Sequence, residues 1–410
     1  MKQRITDHLD DPESLERLYR TDKNTFTRDF PAATEGSGSE LVKFWKIRLA
    51  GEPGSITRFS TTGLASLILI ALVTAVLAKL PSIVPGIEMD FFYPRNMAII
   101  VFNGLILFTF WTNRIGVKWI LAYTGMILGL ALYVNLLPPG QSDTLVIALV
   151  HVPLLLWCVF GLSYISFDFR DTCKRTAFIR YTGELLTMTG LLLITGGMLT
   201  GITIGLFSAI GTNIEDWYLQ NVVIPGAAVA PVLAAYLVTL YPDITRRIVP
   251  VIARVFTPLV LVTLAIFLVS LAFSGTRILE DRDLLALFNV MLLAVTAIII
   301  FSVTELNKSR RRNIHVMILL ILALVTLLIN VVALTAIFTR LTYGLTPNRL
   351  VVSVTNVLVF VNLVLIAKDL FLAWSDAAKL DSLERTVARY LVVYFLWTVV
   401  AIFVLPWVMG

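Results

Sequence analysis

The sequence predicts an all-α fold, a polytopic transmembrane helix bundle of about eleven spans with its N-terminus cytoplasmic and its C-terminus outside. Three observations carry this. First, 58% of the 410 residues are hydrophobic and only 15% are charged, and the mean hydropathy is +0.85. A soluble domain is nearer half apolar and a quarter charged, and so apolar a chain needs the bilayer as its solvent. Second, eleven apolar stretches follow a polar N-terminal segment, near 61–79, 96–113, 117–136, 144–164, 184–210, 222–241, 251–274, 284–304, 315–338, 350–371 and 389–407. Each approaches the roughly 20 residues that cross about 30 Å of hydrocarbon. Third, the basic residues are asymmetric. With the N-terminus in the cytoplasm, seventeen Lys and Arg fall in cytoplasmic loops and six on the opposite side. That bias sets the orientation.

Two domains are expected: a cytoplasmic helical segment over 1–58 and the bundle over 59–410. In the first, Asp11-Pro12 reads as an N-cap with proline at the first helical position. Leu15, Leu18, Tyr19, Phe26 and Phe30 then share one helical face, and Pro31 is expected to end the helix. Glu13 with Arg17, and Glu16 with Arg20, are favourable i,i+4 pairs. Residues 35–40 read as a linker. Leu41 to Leu49 mixes Phe44, Trp45 and Ile47 with Lys43, Lys46 and Arg48, the pattern of a helix lying in the membrane interface. The polar start predicts no cleavable signal peptide before the first span.

The net charge of +6 follows from the basic cytoplasmic loops. The basic runs lack interleaved aromatics, so no nucleic-acid partner is expected. Cys158 and Cys173 should lie at different depths, without a disulfide, and neither has metal-ligand spacing. No phosphate-binding loop, zinc motif, nucleophile elbow or dinucleotide fingerprint is present, and no cofactor or metal is expected.

Within the spans, His151 is the clear ionisable residue. It reads either as a neutral side chain bonded between helices or as a titrating site. Asn103, Asn135, Asn289, Asn330, Asn356 and Asn362 are buried amides that need partners. They read as interhelical locks or, if several converge, as the lining of a site for a polar, uncharged group. Gly197, Gly201 and Gly205 repeat every four residues and predict close helix packing, preferably within the chain. Pro225, Gly226 and Pro231 predict a kinked or interrupted helix, and broken helices line sites in many transporters. Glu88 and Asp90 pair acids in the first outer loop, an arrangement similar to that of membrane glycosyltransferases using lipid-phosphate donors. Tyr343 to Arg349 reads as a helix start, with Gly344 in the turn, Thr346 as N-cap and Pro347 at the first helical position. Arg349 would then sit at headgroup level, able to meet a phosphate.

The run Leu15-Glu16-Arg17-Leu18-Tyr19-Arg20, the pair Phe44-Trp45 and the segment Tyr343 to Arg349 resemble a bacterial family of polytopic membrane proteins known as domain of unknown function 4153. The resemblance covers most of residues 10–407. It implies a multi-pass fold in a bacterial membrane and carries over no activity or catalytic residues.

Three functional classes follow as expectations. The first is a transporter or lipid-handling protein of the bacterial inner membrane. Its substrate-binding candidates are His151, Pro225, Gly226, Asn289, Asn330, Arg349 and Asn356, and its ligand is a lipid or a small polar molecule. The second is a non-enzymatic regulatory component that binds a cytoplasmic protein partner through residues 1–50. The third is a membrane transferase using Glu88 and Asp90 on a lipid-linked donor.

Overall fold

The computed structural model describes the chain except residues 1, 22, 35–38, 52–60, 139–141, 210–211, 242–256, 267, 270–281, 307–313, 343, 377–378 and 410. The described residues form helices and connecting turns, with no strand among them. The chain divides into two compact units, Met1–Ala65 and Ser66–Gly410.

The first unit contains α1 (Lys2–Thr6), α2 (Pro12–Thr21), α3 (Lys23–Ala33) and α4 (Glu40–Gly51). Asp11 caps α2 as expected: its Oδ1 accepts from the backbone N–H groups of Glu13 and Ser14 at 3.1 and 3.2 Å. The apolar face expected along one helix is split between α2 and α3. Tyr19, Phe26, Phe30 and Trp45 pack ring to ring, with centroids 5.1 to 6.1 Å apart.

Several expectations are corrected in this unit. Pro31 lies inside α3, which runs on to Ala33. A proline in the last turn forfeits one backbone bond, and Thr34 closes the end by donating from both its N–H and its hydroxyl to the Phe30 carbonyl. Trp45 is buried in this core rather than facing a membrane interface, whereas Phe44 is exposed. Glu16 binds Arg48, at 2.6 and 3.3 Å, and that guanidinium also lies over the Trp45 ring at 4.5 Å. The Arg20 side chain and most of the 35–40 linker lie outside the described residues.

In the second unit the long helices are α5 (Thr61–Ala78, entering from the first unit), α7 (Met89–Thr112), α8 (Val117–Leu136), α9 (Asp143–Tyr164), α10 (Thr172–Ala209), α12 (Ile224–Leu240), α13 (Thr257–Ile266), α14 (Arg282–Thr304), α15 (Ile314–Leu341), α16 (Pro347–Ser375) and α17 (Leu380–Phe403). Short turns α6 (Leu80–Ile83), α11 (Glu215–Tyr218) and α18 (Leu405–Met409) join or extend them.

Eight helical segments among the described residues are long and apolar enough to cross a membrane; α5, α13 and α14 supply shorter apolar helices. Large apolar side chains such as Leu128, Ile194 and Phe371 are exposed around the outside. This is the surface of a multi-pass protein whose solvent is lipid tail.

The bundle has two cores. One draws on α5, α7, α8, α9, α10 and α12, around Ile106, Leu156, Phe160 and Val232. The other draws on α13 to α17, around Leu292, Ile299, Leu322 and Leu363. A smaller cluster of Ile147, Val351, Ala401 and Leu405 links α9 to α16, α17 and α18. Two helices start earlier than their apolar windows. Helix α7 begins at Met89 and carries Asp90 and Arg95 within it. Helix α10 begins at Thr172 and spans 38 residues, about 57 Å at 1.5 Å per residue, so its ends outrun the hydrocarbon.

The glycine strip is where expectation and structure part. Gly197, Gly201 and Gly205 are exposed, and a Cβ placed on any of them meets nothing within 4 Å. Close intrachain packing of this strip is absent among the described residues. The helices come close at Gly104 instead, where a Cβ would sit 2.7 Å from Thr74 Oγ1 and 2.8 Å from Val232 Cγ2. Gly104 has no small residue four positions away, which is why the spacing rule passed over it.

Candidate functional site

The amides singled out in the second half of the chain come together between α14, α15 and α16. Asn356 Nδ2 donates to Asn289 Oδ1 at 2.7 Å, across 67 residues of sequence. Asn330 Nδ2 donates to the backbone carbonyl of Asn356 at 3.4 Å. Asn330 is fully buried and Asn356 nearly so. Each lies on a helix otherwise lined with Val, Leu and Ile, so the amides form a polar seam in an apolar lobe.

The seam is incompletely satisfied. Among the described residues, Asn330 Oδ1 is buried and has no hydrogen-bond partner, and neither has Asn362 Oδ1. Asn362 lies further along α16, where its Nδ2 donates to the Tyr394 hydroxyl on α17 at 2.8 Å. An amide oxygen left bare in a low-dielectric interior costs about 1–3 kcal/mol. Both atoms are acceptors, so what would satisfy them is an N–H or O–H donor. Among the described residues no carboxylate is bonded into the seam, and its chemistry is that of a neutral, polar lining.

The amides of the other core are different: they are paired. Asn96 and Asn135 exchange amide hydrogen bonds at 3.0 and 2.8 Å between α7 and α8. Asn103 Oδ1 accepts from the Tyr123 hydroxyl at 2.9 Å. These are interhelical locks.

The remaining candidates fall elsewhere. His151 is buried on α9, with Nδ1 2.8 Å from the Ile147 carbonyl one turn earlier. Pro225 and Gly226 open α12 directly after a π-helical turn at Leu219–Val223. Pro225 has no N–H for the carbonyl of Asn221 and its ring crowds that carbonyl; the wider π turn relieves both. Asn221 in that turn accepts from Lys79 Nζ at 2.8 Å. π-Helical turns of this kind inside an α-helix recur at functional sites. Gly226 is exposed with open space around it.

At the start of α16, Thr346 Oγ1 caps the helix by accepting from the Arg349 N–H at 3.3 Å, and Gly344 adopts φ +112°, the left-handed conformation glycine tolerates. Tyr343 lies outside the described residues. Arg349 Nη1 donates to the Gly344 carbonyl at 2.8 Å, so part of the guanidinium is committed to its own turn. Glu88 and Asp90 are exposed at the N-terminus of α7, and Glu88 makes no side-chain cap. Among the described residues, no group of three His, Cys, Asp or Glu side chains is placed to hold a metal.

Sequence reasoning missed Arg95, which it counted as an outer-loop residue. Arg95 is buried in α7 and donates to the carbonyls of Val134, Leu137 (3.2 Å) and Pro138 (3.3 Å) at the C-terminus of α8. A cation there meets the negative end of the helix dipole and its orphan carbonyls. Arg180 on α10 does the same for α14, donating to the Thr304 carbonyl and pairing with Glu305 at 3.0 Å. Glu184 on α10 is also buried. The lone signal for Arg95 was its place just after Tyr93-Pro94, at the edge of an apolar window.

No family model, no curated protein and no solved structure matches the chain.

Proposed function

We propose that this chain is a transporter or lipid-handling protein of a bacterial inner membrane, and that the seam of Asn289, Asn330 and Asn356 binds a polar, uncharged group. The observation that carries this reading is the fully buried Asn330 Oδ1, which has no partner among the described residues, beside the bonded pair Asn356–Asn289. A bare acceptor inside a membrane lobe is costly to the fold, and a donor group on a ligand would repay it. The neutrality of the seam selects against a charged ligand, whose desolvation nothing there would offset. The π-helical turn before Pro225, in the other core, is an irregularity of the kind that recurs at functional sites.

Membership of the domain of unknown function 4153 family, the eleven-span count with a cytoplasmic N-terminus, and domains over 1–58 and 59–410 belong to the same proposal. Reporter fusions test the topology: a fusion after Gly410 should be active outside, and activity in the cytoplasm would overturn the span count. For the site, the detergent-purified full chain is screened by thermal shift against uncharged polar metabolites. A ligand that stabilises wild type and fails to stabilise Asn356→Leu is the expected result. Equal stabilisation of both would remove the seam as the site.

A second reading has one observation in its favour. Residues 1–65 form a compact unit with its own aromatic core, as a module that engages a cytoplasmic protein partner would. Deleting residues 1–50 should then abolish co-purification while insertion persists.

A further inference from the structure

A cavity lies away from the amide seam, at the end of the bundle where α9 finishes and α10 begins. It has a volume of about 210 Å³ and opens between α9, α10 and α17. Its walls are apolar, built from side chains such as Trp157, Phe178, Leu391 and Phe395, and among the described residues Arg175 is the one charged residue that lines it. Phe169 and Val392, also in the lining, are exposed, so the cleft communicates with the surroundings of the bundle.

Among the described residues, Arg175 is held in place by backbone carbonyls. Its Nη1 donates to the Ala388 carbonyl at 3.4 Å and its Nη2 to the Phe169 carbonyl. Those bonds use two of five N–H donors, and neither acceptor is a carboxylate, so among the described residues the positive charge is uncompensated by an ion pair. Its neighbour Lys174 is neutralised differently, by Asp168 at 2.7 Å. The cavity thus pairs an apolar trough with a fixed guanidinium in the first turn of a helix that outruns the bilayer. The volume admits about seven water- or methylene-sized groups at roughly 30 Å³ each, which is part of one acyl chain and too little for a folded peptide segment.

We propose that this cleft binds one anionic phospholipid, with its phosphate on Arg175 and the upper part of one acyl chain against Phe178, Leu391 and Phe395. Guanidinium is the side chain best matched to phosphate geometry, and basic pockets between membrane helices take lipid headgroups on the same principle. The site is independent of the amide seam, and either can fail without the other.

Cys158 lines the cleft and reports on it. In a Cys173→Ser background, which leaves Cys158 as the sole thiol, N-ethylmaleimide labelling is followed in nanodiscs of phosphatidylglycerol and of phosphatidylcholine. Labelling should be about fivefold slower in phosphatidylglycerol, the factor one surface arginine contributes, and Arg175→Gln should erase the difference. Equal rates in the two lipids with Arg175 present would overturn the proposal. So would a slowing that persists in Arg175→Gln, which would report the membrane's surface charge instead. Native mass spectrometry of the wild-type chain gives a readout free of any variant. One retained phosphatidylglycerol, not displaced by excess inorganic phosphate, is expected. Retention of phosphatidylcholine to the same extent, or displacement by phosphate alone, would contradict a lipid site.

Discussion

Replacing Asn330 with leucine should cost the fold little, whereas the same change at Asn356 should cost it clearly. Asn330 is fully buried, its Oδ1 has no partner among the described residues, and its Nδ2 donates a long 3.4 Å bond to a backbone carbonyl. Removing a bare buried acceptor returns about 1–3 kcal/mol. The weak bond lost is worth about 0.6 kcal/mol, the average for polar contacts between membrane helices. Leucine shares the branching of asparagine but is bulkier, and the swelling takes back about 1 kcal/mol. The terms leave Asn330→Leu within about 1 kcal/mol of wild type. Asn356→Leu breaks a 2.7 Å bond and strips Asn289 Oδ1 of its donor; Asn289 is only half-buried, so the cost is about 2 kcal/mol. Reversible unfolding in mixed detergent micelles measures both. If Asn330→Leu proves as damaging as Asn356→Leu, the Asn330 oxygen is already satisfied within the fold, and the argument for a ligand there collapses.

Other outcomes follow from the same structure. Arg95→Met strips three carbonyls at the end of α8 of their donor and should lower stability by about 3 kcal/mol; thermal unfolding in detergent checks it, and Arg95→Lys should recover only part. Gly104→Ala forces a Cβ into Thr74 and Val232 and should cost about 2 kcal/mol, while Gly201→Ala, with open space around it, should be neutral or stabilising by about 1 kcal/mol. Asp11 is held below the usual carboxylate range by its hydrogen bonds to Ser14, with a smaller contribution from the Glu13 N–H. Its contribution to the first unit is therefore complete above the ordinary carboxylate pKa and lost as pH falls through the lowered one. An acid titration of helicity should show that limb, and Asp11→Ala should remove it.

Local signals in the sequence were legible where the physics is local. The Asp11 and Thr346 caps, the helix irregularity before Pro225 and the positions of the apolar helices all depend on residues within a turn or two of one another. Helix starts were misjudged where polarity and helicity separate: α7 and α10 continue as helices through Asp90, Arg95 and Lys174, and a hydropathy window stops at the first charges. Residue type alone marked Asn289, Asn330 and Asn356, but their convergence rests on contacts 26 and 67 residues apart, which no short pattern encodes. The glycine strip meets no close neighbour among the described residues for the converse reason. Its spacing describes one helix face and says nothing of what that face meets.

The most direct test of the amide seam is native mass spectrometry on the full chain released gently from its own membrane, in parallel with Asn330→Leu. A small, uncharged polar ligand retained by the wild type and absent from the variant is the expected result. Wild-type protein that carries no such ligand, or a variant that carries it equally well, would contradict the assignment of the seam as a binding site.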